Sequence, residues 1–171
     1  MDLEVAMYYE FDKDWVLLKK LTLRGYQLLR QGRVREALSL HILKWSEDKP
    51  INPYTVGQLK AEIVDELIKK LYESVEPIYS MDQKILQRWI SLMINGQEVK
   101  VESDRKLFLE IREKYFSFAL LYIDHKGNII QLPESGGLLD QPLDWILFLL
   151  AFKSAFVEKL AQENKKAAKG R

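Results

Sequence analysis

The chain has 171 residues, 47% of them apolar, with 26 Lys and Arg against 25 Asp and Glu and a formal net charge of +1. That length suits one domain with one sizeable core, and such apolar content near zero net charge excludes a disordered chain. The absence of cysteine excludes disulfides, thiolate nucleophiles and thiolate metal sites. The first residues, Met1-Asp-Leu-Glu, are acidic and lack the basic-then-apolar pattern of a signal peptide, so the cytoplasm of the producing cell is the expected location.

Residues 3 to 11 are aromatic and partly alternating. They fit a short strand or an extended arm, and neither is assigned. Asp12 or Asp14 caps a predicted helix that begins near Trp15, with Leu17, Leu18, Leu21, Tyr26, Leu28 and Leu29 as its apolar face. Gly25 weakens the middle of that helix. Gln31-Gly32-Arg33 reads as a helix end with glycine in the left-handed cap position. A second helix is predicted from about Val34 to Trp45. Residues 24 to 38 therefore form a helical hairpin. It resembles one tetratricopeptide unit, with a Gly in the first helix, a Gly turn and an Ala in the second. No second copy occurs about 34 residues on, so an array is not expected.

Residues 46 to 54 form a loop rich in turn-formers, and Asn52-Pro53 opens a third helix, about Pro53 to Val75. Leu59, Ile63, Leu67, Leu71 and Val75 recur there at helical spacing, and Pro77 ends it. A fourth helix, about Asp82 to Ile94, is closed by Asn95-Gly96. Gln97 to Val101 is a short linker or strand. A fifth helix, about Ser103 to Phe116, has Ser103 or Asp104 as its cap. The period then changes. Phe118 to Ile123 and Ile129 to Leu132 flank Asp124-His-Lys-Gly-Asn128, a hairpin signature.

Residues 133 to 156 hold the one motif-like signal and the most apolar run of the chain. Gly136-Gly137 permits a sharp turn or a close backbone approach. Pro142 suits the first turn of a final helix, Asp140 or Gln141 its cap, and Asp144 its positive end. Asp144 and Lys153 bracket the apolar run from Trp145 to Phe152. A membrane span needs roughly 20 apolar residues, so no span is expected. The tail from about residue 164 is rich in Lys, Ala and Gly and is expected to fray. The predicted fold is mainly α: one domain over residues 1–171, of five or six helices, with one β-hairpin before the last. Its helical part covers 1–95, and 96–171 hold the fifth helix, the hairpin and the C-terminal apolar helix.

Chemistry is not evident. His41 lies among apolar residues and reads as a satisfied core histidine; His125 falls in a loop and reads as solvated. No carboxylates stand at metal-ligand spacing from either, and Asp12-Lys-Asp14 is too short for a calcium loop. Ser135 lacks the glycine of a nucleophile elbow, and no glycine stretch continues as a phosphate loop. No catalytic set, cofactor site or metal site is expected, and the chain is not expected to be an enzyme. One charge bias remains: Lys19, Lys20, Arg24, Arg30, Arg33 and Arg35, against Asp14 and Glu36, with Tyr26 and Trp45 nearby. It fits a nucleic-acid-binding adaptor. The whole chain is nearly neutral, however, and the plainer reading is a patch that meets an acidic partner or the chain's own acidic faces.

The segment Leu132-Pro-Glu-Ser-Gly-Gly-Leu-Leu-Asp-Gln-Pro142, leading into an apolar helix, resembles a pattern in small proteins of tailed bacteriophages. These are tail-assembly chaperones or similar proteins encoded near the tail genes. The resemblance covers eleven residues and does not extend over residues 1 to 100. It implies a virion-assembly or structural role without catalysis, in the producing cell or in the virion. It also implies tail or other virion proteins, or further copies of the chain, as partners. The candidate partner-binding residues are Gly136, Gly137, Asp140, Gln141, Trp145, Phe148 and Phe152. An apolar helix of this kind is either a docking surface with those aromatics as anchors, or a wholly enclosed core element. The two readings stand side by side on the sequence alone.

Overall fold

The computed structural model describes residues 6–170; of the unassigned stretch 3 to 11, residues 3 to 5 lie outside that range. From Ala6 the chain forms a β-hairpin, β1 (Ala6–Phe11) and β2 (Asp14–Lys19), in antiparallel register with Tyr9 opposite Val16. Asp12 and Lys13 both take positive φ, 42° and 70°, as a two-residue hairpin turn requires for its twist to match the strands. The helix predicted from Trp15 is therefore a strand as far as Lys19. Val16 and Leu18 alternate inward and are fully buried, while Trp15 and Leu17 face the other way. A third antiparallel strand, β3 (Ile42–Trp45), completes the sheet in the order β1-β2-β3. That strand truncates the second predicted helix at His41, because Ile42 and Trp45 gain partners on β2 that a helix would deny them.

Between β2 and β3 lies the helical hairpin, α1 (Leu23–Arg30) and α2 (Val34–His41). The Thr22 hydroxyl caps α1 by accepting the Gly25 N–H at 3.2 Å, and Gly32 makes the turn with φ 74°. The weak point of α1 is a packing requirement. A Cβ on Gly25 would sit 2.0 Å from Cε1 of His41. His41 is fully buried and satisfied as a neutral ring: Nδ1 donates to the Ala37 carbonyl at 2.7 Å, and Nε2 accepts the Thr22 N–H at 3.1 Å. Gly25→Ala is thus expected to destabilise the fold by about 1–3 kcal/mol, the usual cost of overpacking. Alanine's better helix propensity alone would give the opposite sign, so a urea midpoint decides between the two.

The third predicted helix is two. The short α3 (Pro53–Val56) opens on a capping box between Asn52 and Thr55, and α4 (Ala61–Glu73) begins after a break at Gly57 to Lys60. Lys60 has extended backbone, and the Arg35 guanidinium lies against Gly57. α5 (Gln83–Ile94) matches the prediction, with the Asp82 carboxylate accepting the Lys84 and Ile85 N–H groups. α6 (Glu102–Ile111) starts without a side-chain cap, then runs through a π turn (Arg112–Phe116) into α7 (Ser117–Ala119).

The hairpin expected at residues 118 to 132 shrinks to one bridge, Ile123 to Ile129, around a loop held by Asp124. The Asp124 carboxylate accepts the Lys126 and Asn128 N–H groups at 2.8 and 2.9 Å, which holds it below the usual carboxylate range. Phe118 to Leu121 end a helix rather than form a strand. The last helix, α8 (Leu143–Lys169), stays helical through the tail that was expected to fray, exposed on all sides from Ala161 onward.

The chain is mainly α with one small sheet. It packs as two compact units. One comprises the residues up to Tyr79 with Glu134–Asp144; its core holds Val16, Leu18, Leu21, Leu38, Leu67 and Leu71. The other comprises Ser80–Pro133 with the chain from Trp145 onward; its core holds Leu86, Ile90, Phe108, Ile111, Phe148 and Phe152.

Candidate functional site

The Gly-Gly stretch closes on itself. Gly136 adopts φ 100°, and a Cβ there would meet Oδ2 of Asp140 at 2.9 Å. The same oxygen accepts the Gly137 N–H at 3.1 Å. The buried Gln141 side chain fills the centre of the loop: Oε1 accepts the Glu134 N–H at 2.8 Å, and Nε2 donates to the Glu134 and Gly137 carbonyls at 2.8 and 3.1 Å. Both side chains expected to cap the final helix are thus engaged one loop earlier.

The main chain continues the seam. Leu23 N–H donates to the Gln141 carbonyl at 3.0 Å and Leu143 N–H to the Leu21 carbonyl at 2.8 Å, with Thr22 and Pro142 bridged between. The fully buried Asp144 meets the Lys20 ammonium at 2.7 Å. Of the candidate partner-binding residues, Gly136, Gly137 and Asp140 are exposed here and Gln141 is enclosed.

The aromatics of α8 form a row. Trp145 is half-buried, edge-on to Tyr115 and Tyr122 at 5.0 and 5.5 Å between centroids. Phe148 stacks on Tyr115 at 5.2 Å, and Phe152 meets Phe116 at 5.8 Å. Phe148 and Phe152 have no exposed surface. Two of the three expected anchors, Phe148 and Phe152, are therefore core residues, because the π turn brings Tyr115 and Phe116 across that face of the helix. The large apolar side chains of α8 most open to solvent are Leu150 and Val157.

The candidate basic patch is partly neutralised from within. Lys20 pairs with Asp144, Arg24 with Asp140 at 3.7 Å, and Arg33 with Glu36 in a two-point contact. Arg35 lies against Gly57. Lys19 and Arg30 are in no ion pair among the described residues. Near Arg30, the rings of Tyr26 and Tyr72 each meet Tyr79, at 5.9 and 5.3 Å. Burial pushes the Tyr72 and Tyr79 hydroxyls above their ordinary range, against the pull of the Arg30 charge.

One concave site was not anticipated. A cavity of about 470 Å³ in the first unit is lined by Trp45 together with Asp14, Lys49 and Leu59. Its residues are scattered along the chain, and Asp14, Trp45 and Leu59 stand out in the sequence for other reasons. A smaller groove of about 340 Å³, between Ile94 and Lys166, is lined mainly by polar side chains. Among the described residues no group of three His, Asp or Glu side chains comes together to hold a metal ion. No helix among them is long and apolar enough to cross a membrane. Compared with protein-family models, with curated proteins and with solved structures, the chain finds no match in any of the three.

Proposed function

We propose that this chain is a non-enzymatic assembly protein of the tailed-phage kind, which binds protein partners through an apolar surface of its second unit. The observation that carries the reading is the exposure of Phe118, Leu120, Leu121 and Ile130, each between 49% and 64%. The Ile130 N–H donates to the Tyr122 carbonyl at 2.8 Å, so the two stretches run side by side. Large apolar side chains gathered on a surface are a mark of interaction sites. The setting comes from the resemblance of Leu132 to Pro142, the next segment of the chain. The docking surface is thus assigned to the turn before the motif, in place of Phe148 and Phe152.

The nucleic-acid reading is the weaker one, since Lys20, Arg24 and Arg33 already face carboxylates of their own chain. The test is co-expression with each protein encoded beside this one, followed by size-exclusion chromatography. A stable complex is expected with at least one neighbour. Leu120→Asp with Leu121→Asp should weaken it at least about tenfold, while the melting curve stays within about 1 kcal/mol of the native one. Unchanged binding by the double variant overturns the proposed surface. Tight binding to DNA or RNA alone, lost steeply as salt rises, overturns the proposed function.

A further inference from the structure

One residue that lines the cavity beside β3, Trp45, carries a donor without an acceptor. Trp45 is 4% exposed, and its ring stands edge-on to Phe11 with centroids 6.4 Å apart. Its indole N–H is buried and has no hydrogen-bond partner among the described residues. Buried donors left unpaired are uncommon and call for an explanation.

The neighbouring groups define what could pair with it. The Lys49 ammonium sits over the Trp45 ring, 5.4 Å from its centroid, and contacts Asp14 at 2.8 Å. The other Asp14 oxygen accepts the Ser46 hydroxyl at 2.5 Å, and these two contacts hold Asp14 ionised below its ordinary range. The Thr55 hydroxyl donates to the Pro50 carbonyl at 2.8 Å. Each Asp14 oxygen thus accepts one contact, and its charge is matched by Lys49. The donors left to pair are the indole N–H and the further protons of the Lys49 ammonium, with the Gln58 amide able to serve either way. Pro50, Leu59 and the indole ring supply apolar walls, and the volume falls within the range of small-ligand sites.

We infer that this cavity binds a carboxylate carried on a short apolar body. The carboxylate accepts from the Trp45 indole and from Lys49, and the apolar body lies against the indole ring, Pro50 and Leu59. Because the indole N–H is buried, entry shifts the Lys49 ammonium that sits over the ring. The carboxylate belongs either to a free small acid or to the C-terminus of another polypeptide. This inference is independent of the assembly reading, which concerns the other unit.

The test is a proton–nitrogen correlation spectrum of the full chain, whose four tryptophans give four indole signals; Trp45→Phe identifies the one that matters. The probes are N-acetyl-leucine, its carboxamide, an acetylated pentapeptide ending in a free leucine, and its amidated twin. The Trp45 indole proton should move downfield with the free acids, at least about tenfold more weakly with the amides, and not in Lys49→Met. Equal affinity for the two acids assigns the site to a small molecule; about tenfold tighter binding of the peptide assigns it to a chain terminus. If Trp45→Phe does not fold, the effect of Lys49→Met on the acid–amide difference carries the same decision. No movement with any probe at about 10 mM, equal response to acid and amide, or undiminished binding in Lys49→Met overturns the inference.

Discussion

Replacing Phe148 with Asp abolishes cooperative unfolding. Phe148 has no exposed surface and stacks on Tyr115 with the rings 26° apart. Trp145 stands edge-on to it at 6.1 Å and Phe152 lies at 6.3 Å. A carboxylate placed among these rings loses its hydration. The cost is several kcal/mol against a total stability of about 5–15 kcal/mol. The milder Phe148→Ala should cost about 3–5 kcal/mol through lost contacts and a residual cavity. Circular dichroism melting tests both. A Phe148→Asp chain that melts cooperatively near the native temperature would show that this ring is not part of the core.

Acid weakens the fold through His41, and this is the second large effect. Burial lowers the His41 pKa from 6.5 to about 4, with the Ala37 hydrogen bond opposing the shift and the Lys19 charge adding to it. In the unfolded chain the imidazole takes its proton near pH 6.5; in the folded chain it stays neutral until about pH 4. The unfolded state therefore binds more protons throughout that window, and stability falls as pH falls. The contribution is intact above the unfolded pKa. By pH 4 it has removed about 3 kcal/mol, at 1.36 kcal/mol per unit. Urea midpoints between pH 7 and 4 measure the slope. His41→Gln, which cannot titrate, should be less stable at pH 7 yet lose less on acidification. An unchanged slope in that variant would exclude His41 as its source.

Local signals carried the parts of the fold that were legible in the sequence. α5 was readable almost to the residue because Asp82 at one end and Asn95-Gly96 at the other act within a turn or two of the backbone. The α1–α2 hairpin was legible for the same reason, through Gly32. β2 was not. Val16-Leu17-Leu18 satisfies a helical face and a strand face equally, and the choice was made by β1, a different part of the chain. The turn between them also lacks the glycine that usually announces a hairpin, since Asp12 and Lys13 take the positive φ themselves.

Site residues divide along the same line. Asp140 and Gln141 stood out as a pattern, but the pattern did not reveal that Gln141 faces inward to hold Glu134. The Trp45 cavity was illegible because Asp14, Trp45 and Gln58 meet only once β2, β3 and α3 are in place. The enclosure of Phe148 depends in the same way on Tyr115, a ring from a distant part of the sequence.

The seam between Thr22 and Pro142 carries a consequence for synthesis. Lys20 and Asp144 are 124 residues apart, and the whole stretch from Ser80 to Pro133 belongs to the other unit. A chain emerging from the ribosome presents its sheet and α1 to α4 first, while the loop that closes on them is still untranslated. At about 5–20 residues per second, the interval between Tyr79 and Asp144 lasts on the order of several seconds. During that time the Leu21 carbonyl and the Leu23 N–H have no main-chain partner from the Gln141–Leu143 segment. Closing so long a loop also delays the final pairing in refolding, since distant contacts reward the chain only after its ends have met. Nascent chains stalled before Gln141 should therefore be cut by protease within the N-terminal segment, and chains stalled well beyond Asp144 should resist.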